Sequence, residues 1–338
     1  MKSFRGADSP LPARTVDVQS RPPMTRISLS RVGVTGVEKV IRFPAKGGHQ
    51  LYHAELECFV DLNPQQSGVH MSRFQEVVNE TIDEIVLRAA FKAETLASEI
   101  AQRVRQRQGG LRAEVSIKAR YPELKLTPVS GKTTQELHTL YGTAVASELG
   151  VRRLVGVEAQ GITACPCAQQ LVADSARERL AEEGFTDDEI ERVLEAVPVA
   201  THNQRGIGTL YLGSPESSEI DVDAETMLRI VEESMSSEIF ELMKRPDERA
   251  VVEKAHRRPR FVEDCVREMV RGAVNAYPNL DDTTFVLARQ RNLETIHQHT
   301  VIAERHGLIG EIRVELDSDR HSRHHVTMRE WLEHSQVP

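Results

Sequence analysis

Thr163-Ala164-Cys165-Pro166-Cys167-Ala168-Gln169 joins an apolar, strand-like run, Leu154-Val155-Gly156-Val157, to a helical pattern, with two thiols flanking the proline at the join. Proline fixes its own φ and biases the residue before it, Cys165, towards an extended conformation. The thiols are therefore expected on a stiff turn at the mouth of a helix. There the free N–H groups and the helix dipole favour a thiolate, the form that ligates metals or attacks carbon. Two buried small apolar residues are the competing reading, and the heptapeptide alone leaves both open.

Around this join the second half of the chain orders itself. Residues 151–162 are strand-like, the cysteine turn opens a helix to about residue 183, and residues 187–195 form a short charged helix. His202-Asn203-Gln204-Arg205-Gly206 leads into a strand through Leu212. Leu228, Val231, Met235, Ile239 and Leu242 mark one long amphipathic helix, stopped by Lys244-Arg245-Pro246-Asp247-Glu248, whose cations suit a helix C-terminus. A helix over 261–277 is ended by Pro278, and strands are expected over 285–291 and 311–316.

The first half shows a similar order. Residues 27–43 suggest two short strands around Gly33 and Gly36, and Tyr52, Ala54, Leu56, Cys58 and Val60 alternate as a half-buried strand with Cys58 in the core. Ser72, with Gln75, reads as the N-cap of one long helix ended by Gly109-Gly110. Alternating strands follow over 113–119 and 138–146. Hairpin-linked strands with helices on one side make an antiparallel α+β fold. The expected organisation is a disordered arm over 1–25, modules over 26–150 and 151–318, the second carrying most of the metal site, and a polar tail over 319–338.

Composition narrows the function. A net charge of -8 with 4% aromatic residues argues against nucleic-acid binding. No apolar run reaches the roughly 20 residues of a membrane span, and four scattered cysteines point to a reducing cytoplasm. Several polar stretches exceed what secondary structure asks for: His202 to Arg205, Lys244 to Glu248, Phe261-Val262-Glu263-Asp264, and Glu294-Thr295-Ile296-His297-Gln298-His299 on an extended chain. Singly each has a bland explanation. Glu263 and Asp264 suit a first helical turn, and His202 suits a loop. Together, thiolate, imidazole and carboxylate are a ligand set for zinc or ferrous iron, able to activate water, and Arg73, Arg205, Lys244 and Arg245 can meet phosphates.

Gly68-Val69-His70-Met71-Ser72-Arg73-Phe74, Cys165-Pro166-Cys167, His202-Asn203-Gln204-Arg205, Lys244-Arg245-Pro246-Asp247-Glu248, Phe261-Val262-Glu263-Asp264 and Ile296-His297-Gln298-His299 occur in this order, and the pattern resembles the type IB GTP cyclohydrolases over about residues 26–316. The resemblance implies a tunnelling fold with two antiparallel sheet-and-helix modules per subunit, and a homotetramer with active sites at subunit interfaces. It implies hydrolysis of GTP at C8 with release of formate, in folate or methanopterin biosynthesis. The product is a dihydroneopterin 3′-triphosphate, or a 2′,3′-cyclic phosphate in the archaeal form. Cys165, His202, Glu248 and His297 or His299 match the ligands of one divalent metal, Fe2+ if archaeal-like, otherwise Zn2+ or Mn2+. Cys165, His202, His297 and His299 match the catalytic set. Glu263 matches the anchor of the guanine edge, and His70, Ser72, Arg73, Arg205, Lys244 and Arg245 match substrate contacts. Cys167 is left as a neighbour, one of the two thiols being expected to pack. The 34 residues between Cys167 and His202 depart from the short bacterial pattern and resemble the archaeal form. Two other readings stand beside this one: a related tunnelling-fold enzyme, such as a nitrile reductase, using Cys165 as a covalent nucleophile on a purine-like base, and a non-catalytic metal-binding protein.

Overall fold

The computed structural model describes residues 19, 21–45, 48–85, 92–215, 222–318 and 320–333. Among them one antiparallel sheet runs through the whole chain. The first half contributes β1 (Leu29–Ala45), β2 (Gly48–Leu62), β3 (Ala113–Leu126) and β4 (Thr133–Ser147), with α1 (Met71–Ile85) and α2 (Ala93–Gln108) between β2 and β3. The second contributes β5 (Gly150–Ala164), β6 (Asn203–Pro215), β8 (Phe285–Leu293) and β9 (Thr300–Leu308). α3 (Pro166–Glu182) and α4 (Asp187–Ala196) separate β5 from β6. α5 (Ala224–Ser234), the two-residue β7 (Ser237–Glu238), α6 (Arg245–Arg257) and α7 (Val262–Ala276) separate β6 from β8. Strand order follows the sequence, and β4 pairs β5 so that the two halves share one sheet.

Period-two alternation gives the sheet one apolar face. Leu56, Cys58 and Val60 lie beside Ile117, Val115 and Ala113 across the β2–β3 ladder, all buried. The helices pack on this face: Gly142 admits the α2 backbone at Ala93, where a Cβ would stand 2.3 Å from a carbonyl carbon. Burial pushes the Cys58 and Cys265 thiols up to about 12, so both are inert core groups at neutral pH.

Several elements differ from the sequence expectation, each for a physical reason. β1 is one strand, not two: the bend is a register shift between Val34 and Val37, with Gly36 at φ 65. α1 begins at Met71, which puts Ser72 inside its first turn, and α2 is a separate helix closed by Gly109 at φ 70. The amphipathic pattern over 228–242 stops being helical at Ser234. β4 pairs β5 only as far as Glu158, leaving the end of β5 without a neighbour on that side. β7 supplies it by pairing Gly161 and Ile162, and Ser236 Oγ accepts from Ala164 N at 3.1 Å. These groups are buried, so the strand outcompetes two more helical turns. Lys244 and Arg245 consequently start α6 and do not end α5. Residues 311–316 lie in α8 (Ile309–Asp317), where buried Ile309 and Ile312 are three apart on one face.

Residues 320–333 include α9 (Met328–Leu332), which buries Trp331 against Phe285 with ring centroids 5.7 Å apart. This part of the chain is docked, in contrast to the expected polar tail. The reading of residues 1–25 as an arm falls mostly outside the described residues, although the Gln19 and Arg21 carbonyls accept from Ser67 N.

Candidate active site

The cysteine turn sits where β5 gives way to α3. Cys165 is extended, at φ -77 and ψ 118, Pro166 is the first helical residue, and Ala168 N donates to Cys165 Sγ at 3.5 Å. The thiol is thus the N-cap of α3, the placement that proline dictates. Cys165 is half-buried, and Cys167 is exposed, so neither thiol packs into the core. α3 and α4 bury one residue each, Ala173 and Ile190, as befits an insertion standing outside the main core.

His202 meets this turn through the backbone. Cys165 N donates to His202 O at 3.1 Å, and Thr201 Oγ1 donates to Cys165 O at 2.8 Å. The Gln169 side chain fastens the same corner by donating to Val199 O at 2.8 Å and to His256 O at 2.6 Å, at the end of α6. His202 Nδ1 lies 3.0 Å from Gln204 Oε1 and 3.8 Å from Glu294 Oε2. His297 and His299 are in the β8–β9 connection, not on a strand: the ladder ends at Leu293 and Thr300, and residues 295–299 bend. Their rings stack at 5.0 Å and are exposed. Thr295 Oγ1 ties this connection to Asn203 O at 3.1 Å, beside His202.

Glu263, exposed in the first turn of α7, is near the same end, because Arg260 N donates to Ala164 O at 2.9 Å. It opens a cavity of about 430 Å³ shared with Arg267, Ala303, Arg305 and Glu315. Other predicted residues are elsewhere in the chain. Glu248 is in the first turn of α6, and the eight residues from it to His256 span about 12 Å of helix. Lys244 and Arg245, exposed at that same N-terminus, sit at the dipole's positive end, where local physics disfavours cations. Their placement is the kind expected of anion-binding groups. Asp247 secures them. It is buried and accepts from Val129 N, Ser130 N, Ser130 Oγ and Lys244 N at 2.9, 2.8, 2.6 and 2.8 Å. Burial opposes its ionisation, but these hydrogen bonds outweigh it and hold the carboxyl well below the usual range.

His70 immediately precedes α1, with Gln108 bonded to both its N and O; Arg73 donates to Arg107 O at 3.0 Å, and Ser72 is exposed. Arg205 alternates onto the sheet face opposite His202 and Gln204, donating to Gln160 Oε1 at 3.0 Å. Backbone and side-chain bonds thus bring Cys165, His202, the start of α7 that carries Glu263, and the His297–His299 loop to one end of the sheet, while Lys244 and Arg245 stand at the end of α6 remote from His256.

Among the described residues, Glu123, His138 and Glu232 bring one ligand atom each within 4.8 Å of one another, a geometry able to hold a metal ion. The predicted set of Cys165, His202, Glu248, His297 and His299 forms no such group within one chain. Lys125 already stands in the Glu123 cluster, 3.3 Å from Glu123 and paired with Glu232. Its ammonium supplies the positive charge that a metal would bring. By contrast, Cys165 and His202 offer soft and borderline donors with no cation beside them in any ion pair of the described residues, and the donor chemistry fits a divalent transition metal. Sequence reading missed Asp247, Gln204 and Glu294 as individuals, though all three lie inside the quoted motifs.

The architecture is that of the tunnelling-fold enzymes. The uricase from Arthrobacter globiformis has it too, with a TM-score of 0.51 over 82% of this chain and 93% of that one, at 8% identity. The chain belongs to the family described as Type I GTP cyclohydrolase folE2, whose profile matches residues 15–303. It is 40% identical over 307 residues to GTP cyclohydrolase MptA of Methanococcus aeolicus, covering 89% of this chain and 99% of that protein. It is 40% identical over 306 residues to the protein of that name in Methanocaldococcus jannaschii, covering 89% and 97%. The enzyme class, GTP cyclohydrolase, and GTP as substrate come with the family, and the nitrile-reductase and non-catalytic readings are set aside.

Proposed function

We propose that the chain hydrolyses GTP at C8 of guanine, releases that carbon as formate, and recloses the ring as 7,8-dihydroneopterin 2′,3′-cyclic phosphate with loss of pyrophosphate. The cyclic product is favoured by the MptA relatives and by the α3–α4 insertion. The observation that carries the site is the pairing of Cys165 with His202 at the open end of β5 and β6. Cys165, His202, Glu248 and one of His297 and His299 would hold a divalent ion, Fe2+ first, with Zn2+ or Mn2+ as substitutes. Such an ion supplies Lewis acidity and an acidified water at neutral pH.

The chain's own groups do the rest. Glu263 accepts from the adjacent N1–H and 2-amino donors of guanine, which its two oxygens match. Whichever of His297 and His299 does not hold the ion moves protons to and from the opening imidazole. Arg73, Arg205, Lys244 and Arg245, with His70 and Ser72, take the ribose and phosphates. The length of α6 between Lys244 and His256 supports completion of the site by a neighbouring subunit, in the homotetramer that the family resemblance implies. Anaerobic incubation of the Fe2+-loaded protein with GTP, followed by phosphorus NMR, is expected to show a cyclic phosphodiester and pyrophosphate. A product retaining its triphosphate overturns the cyclic assignment, and unchanged GTP overturns the activity.

A further inference from the structure

We infer that Gln204 is a positioning residue that keeps the ring proton of His202 on Nδ1 and so presents a bare Nε2 to the site. A neutral imidazole carries one proton, and the partner of one nitrogen decides the role of the other. His202 Nδ1 is 3.0 Å from Gln204 Oε1. Gln204 is buried, the second residue of β6, and two residues on from His202, which immediately precedes the strand. Its Nε2 donates at 3.0 Å to Oγ1 of Thr163, a fully buried residue directly opposite it on β5. Turned by 180°, the amide would offer N–H to Nδ1 and drive the ring proton to Nε2. Glu294 decides between the two arrangements. Its carboxylate, an acceptor only when ionised, stands 3.8 Å from Nδ1 with 8% of its side chain exposed, too far for a hydrogen bond but near enough to favour a proton on that nitrogen. With Gln204 Oε1 as the acceptor at Nδ1, Nε2 keeps its lone pair.

A second buried amide pair lies further along the sheet. Gln290 Nε2 donates to Asn292 Oδ1 at 3.0 Å, both buried, and Gly206 leaves the room that Gln290 fills. A Cβ at Gly206 would stand 2.5 Å from Gln290 Nε2 and 2.9 Å from Met235 Sδ. The Gln204–Thr163 pair is what reaches the ring, and it holds His202 in one orientation, as supporting partners do for metal-ligating histidines.

The proposal rests on the reading of His202 as a site residue, and its test separates the two. Metal-free full-length protein labelled with 15N-histidine is examined by long-range 1H–15N correlation, with His202 assigned from the His202→Gln spectrum. The expected wild-type pattern is a protonated Nδ1 and an unprotonated Nε2. Gln204→Leu and Thr163→Val are expected to lose it and to weaken Co2+ binding about 10- to 100-fold. Thr163→Ser keeps the hydroxyl and is expected to retain both tautomer and affinity. Should Gln204→Leu fail to fold, the Thr163 pair carries the comparison. A proton on Nε2 in the wild type, or an unchanged tautomer and affinity in Thr163→Val, overturns the proposal. The expected tautomer in a protein inactive on GTP would instead refute the functional reading and leave the positioning role standing.

Discussion

Replacing Lys125 by Met removes the cation that joins the two halves of the sheet on its helix side. Lys125 and Glu123 are on β3, His138 is on β4, and Glu232 is on α5. Lys125 pairs with Glu232 and lies 3.3 Å from Glu123, with side-chain exposures of 13%, 10% and 19% in that order. His138 Nε2 is 2.9 Å from Glu123 Oε2. Breaking such a pair from one side costs about 3–5 kcal/mol, and the residual exposure puts the expected loss near the lower end. Burial raises the Glu232 carboxyl above its ordinary range despite Lys125. A carboxyl raised on folding binds its proton more tightly in the folded state. Its contribution is complete below the unfolded pKa and lost as pH rises through the folded one. Without Lys125 the carboxyl rises further, so the variant should lose more stability at pH 8 than at pH 5. Burial also works against Glu123, but the His138 hydrogen bond and Lys125 outweigh it and hold its carboxyl low. Lys125→Met/Glu232→Leu should recover much of the loss, because no unpaired charge is left on α5. Urea unfolding at the two pH values measures this. Equal losses at both, or a double variant less stable than the single one, would refute the reasoning.

Trp331→Ala should cost about 3–5 kcal/mol in the same assay, since the indole fills the space against Phe285 and donates to Thr283 O; an unaffected urea midpoint would show α9 to be undocked. Asp247→Asn replaces an acceptor-only group by one that must also donate. Because the Asp247 carboxyl is held low on folding, its contribution is present above the unfolded carboxylate pKa and lost as pH falls. The variant should therefore be destabilised at pH 7 and show a flatter acid limb, with faster hydrogen exchange over 127–132. Gly206→Ala should cost about 1–3 kcal/mol by crowding Gln290 and Met235 and, by pressing on Thr163 Cγ2, should weaken Co2+ binding through Gln204 and His202; unchanged affinity would show that Thr163 tolerates the added methyl.

Much of this fold was legible because the signals were local. Alternation placed Cys58 in the core, and Pro166 placed Cys165 at a helix mouth, each by a rule that needs only neighbouring residues. The failures came where a distant partner decided. Ser236 to Glu238 left the helical pattern because the end of β5 lacked a neighbour, a fact held by β4 and invisible around Met235. Residues 311–316 alternate in hydrophobicity, yet Ile309 and Ile312 share a helical face. Lys244 and Arg245 were read as ending a helix when they begin one, because Asp247 binds a loop 117 and 118 residues away. For the site, the motifs were visible as residue types without a structural need. Which atoms meet was not, since Gln204 and Glu294 acquire meaning only through the register of β5, β6 and β8.

Carbon NMR of GTP labelled at guanine C8 tests the central claim most directly. Wild-type protein loaded anaerobically with Fe2+ should convert the C8 signal to formate, and Cys165→Ala should yield none and retain less metal. Formate release at the wild-type rate from Cys165→Ala, with its metal still bound, would contradict the assignment of this site.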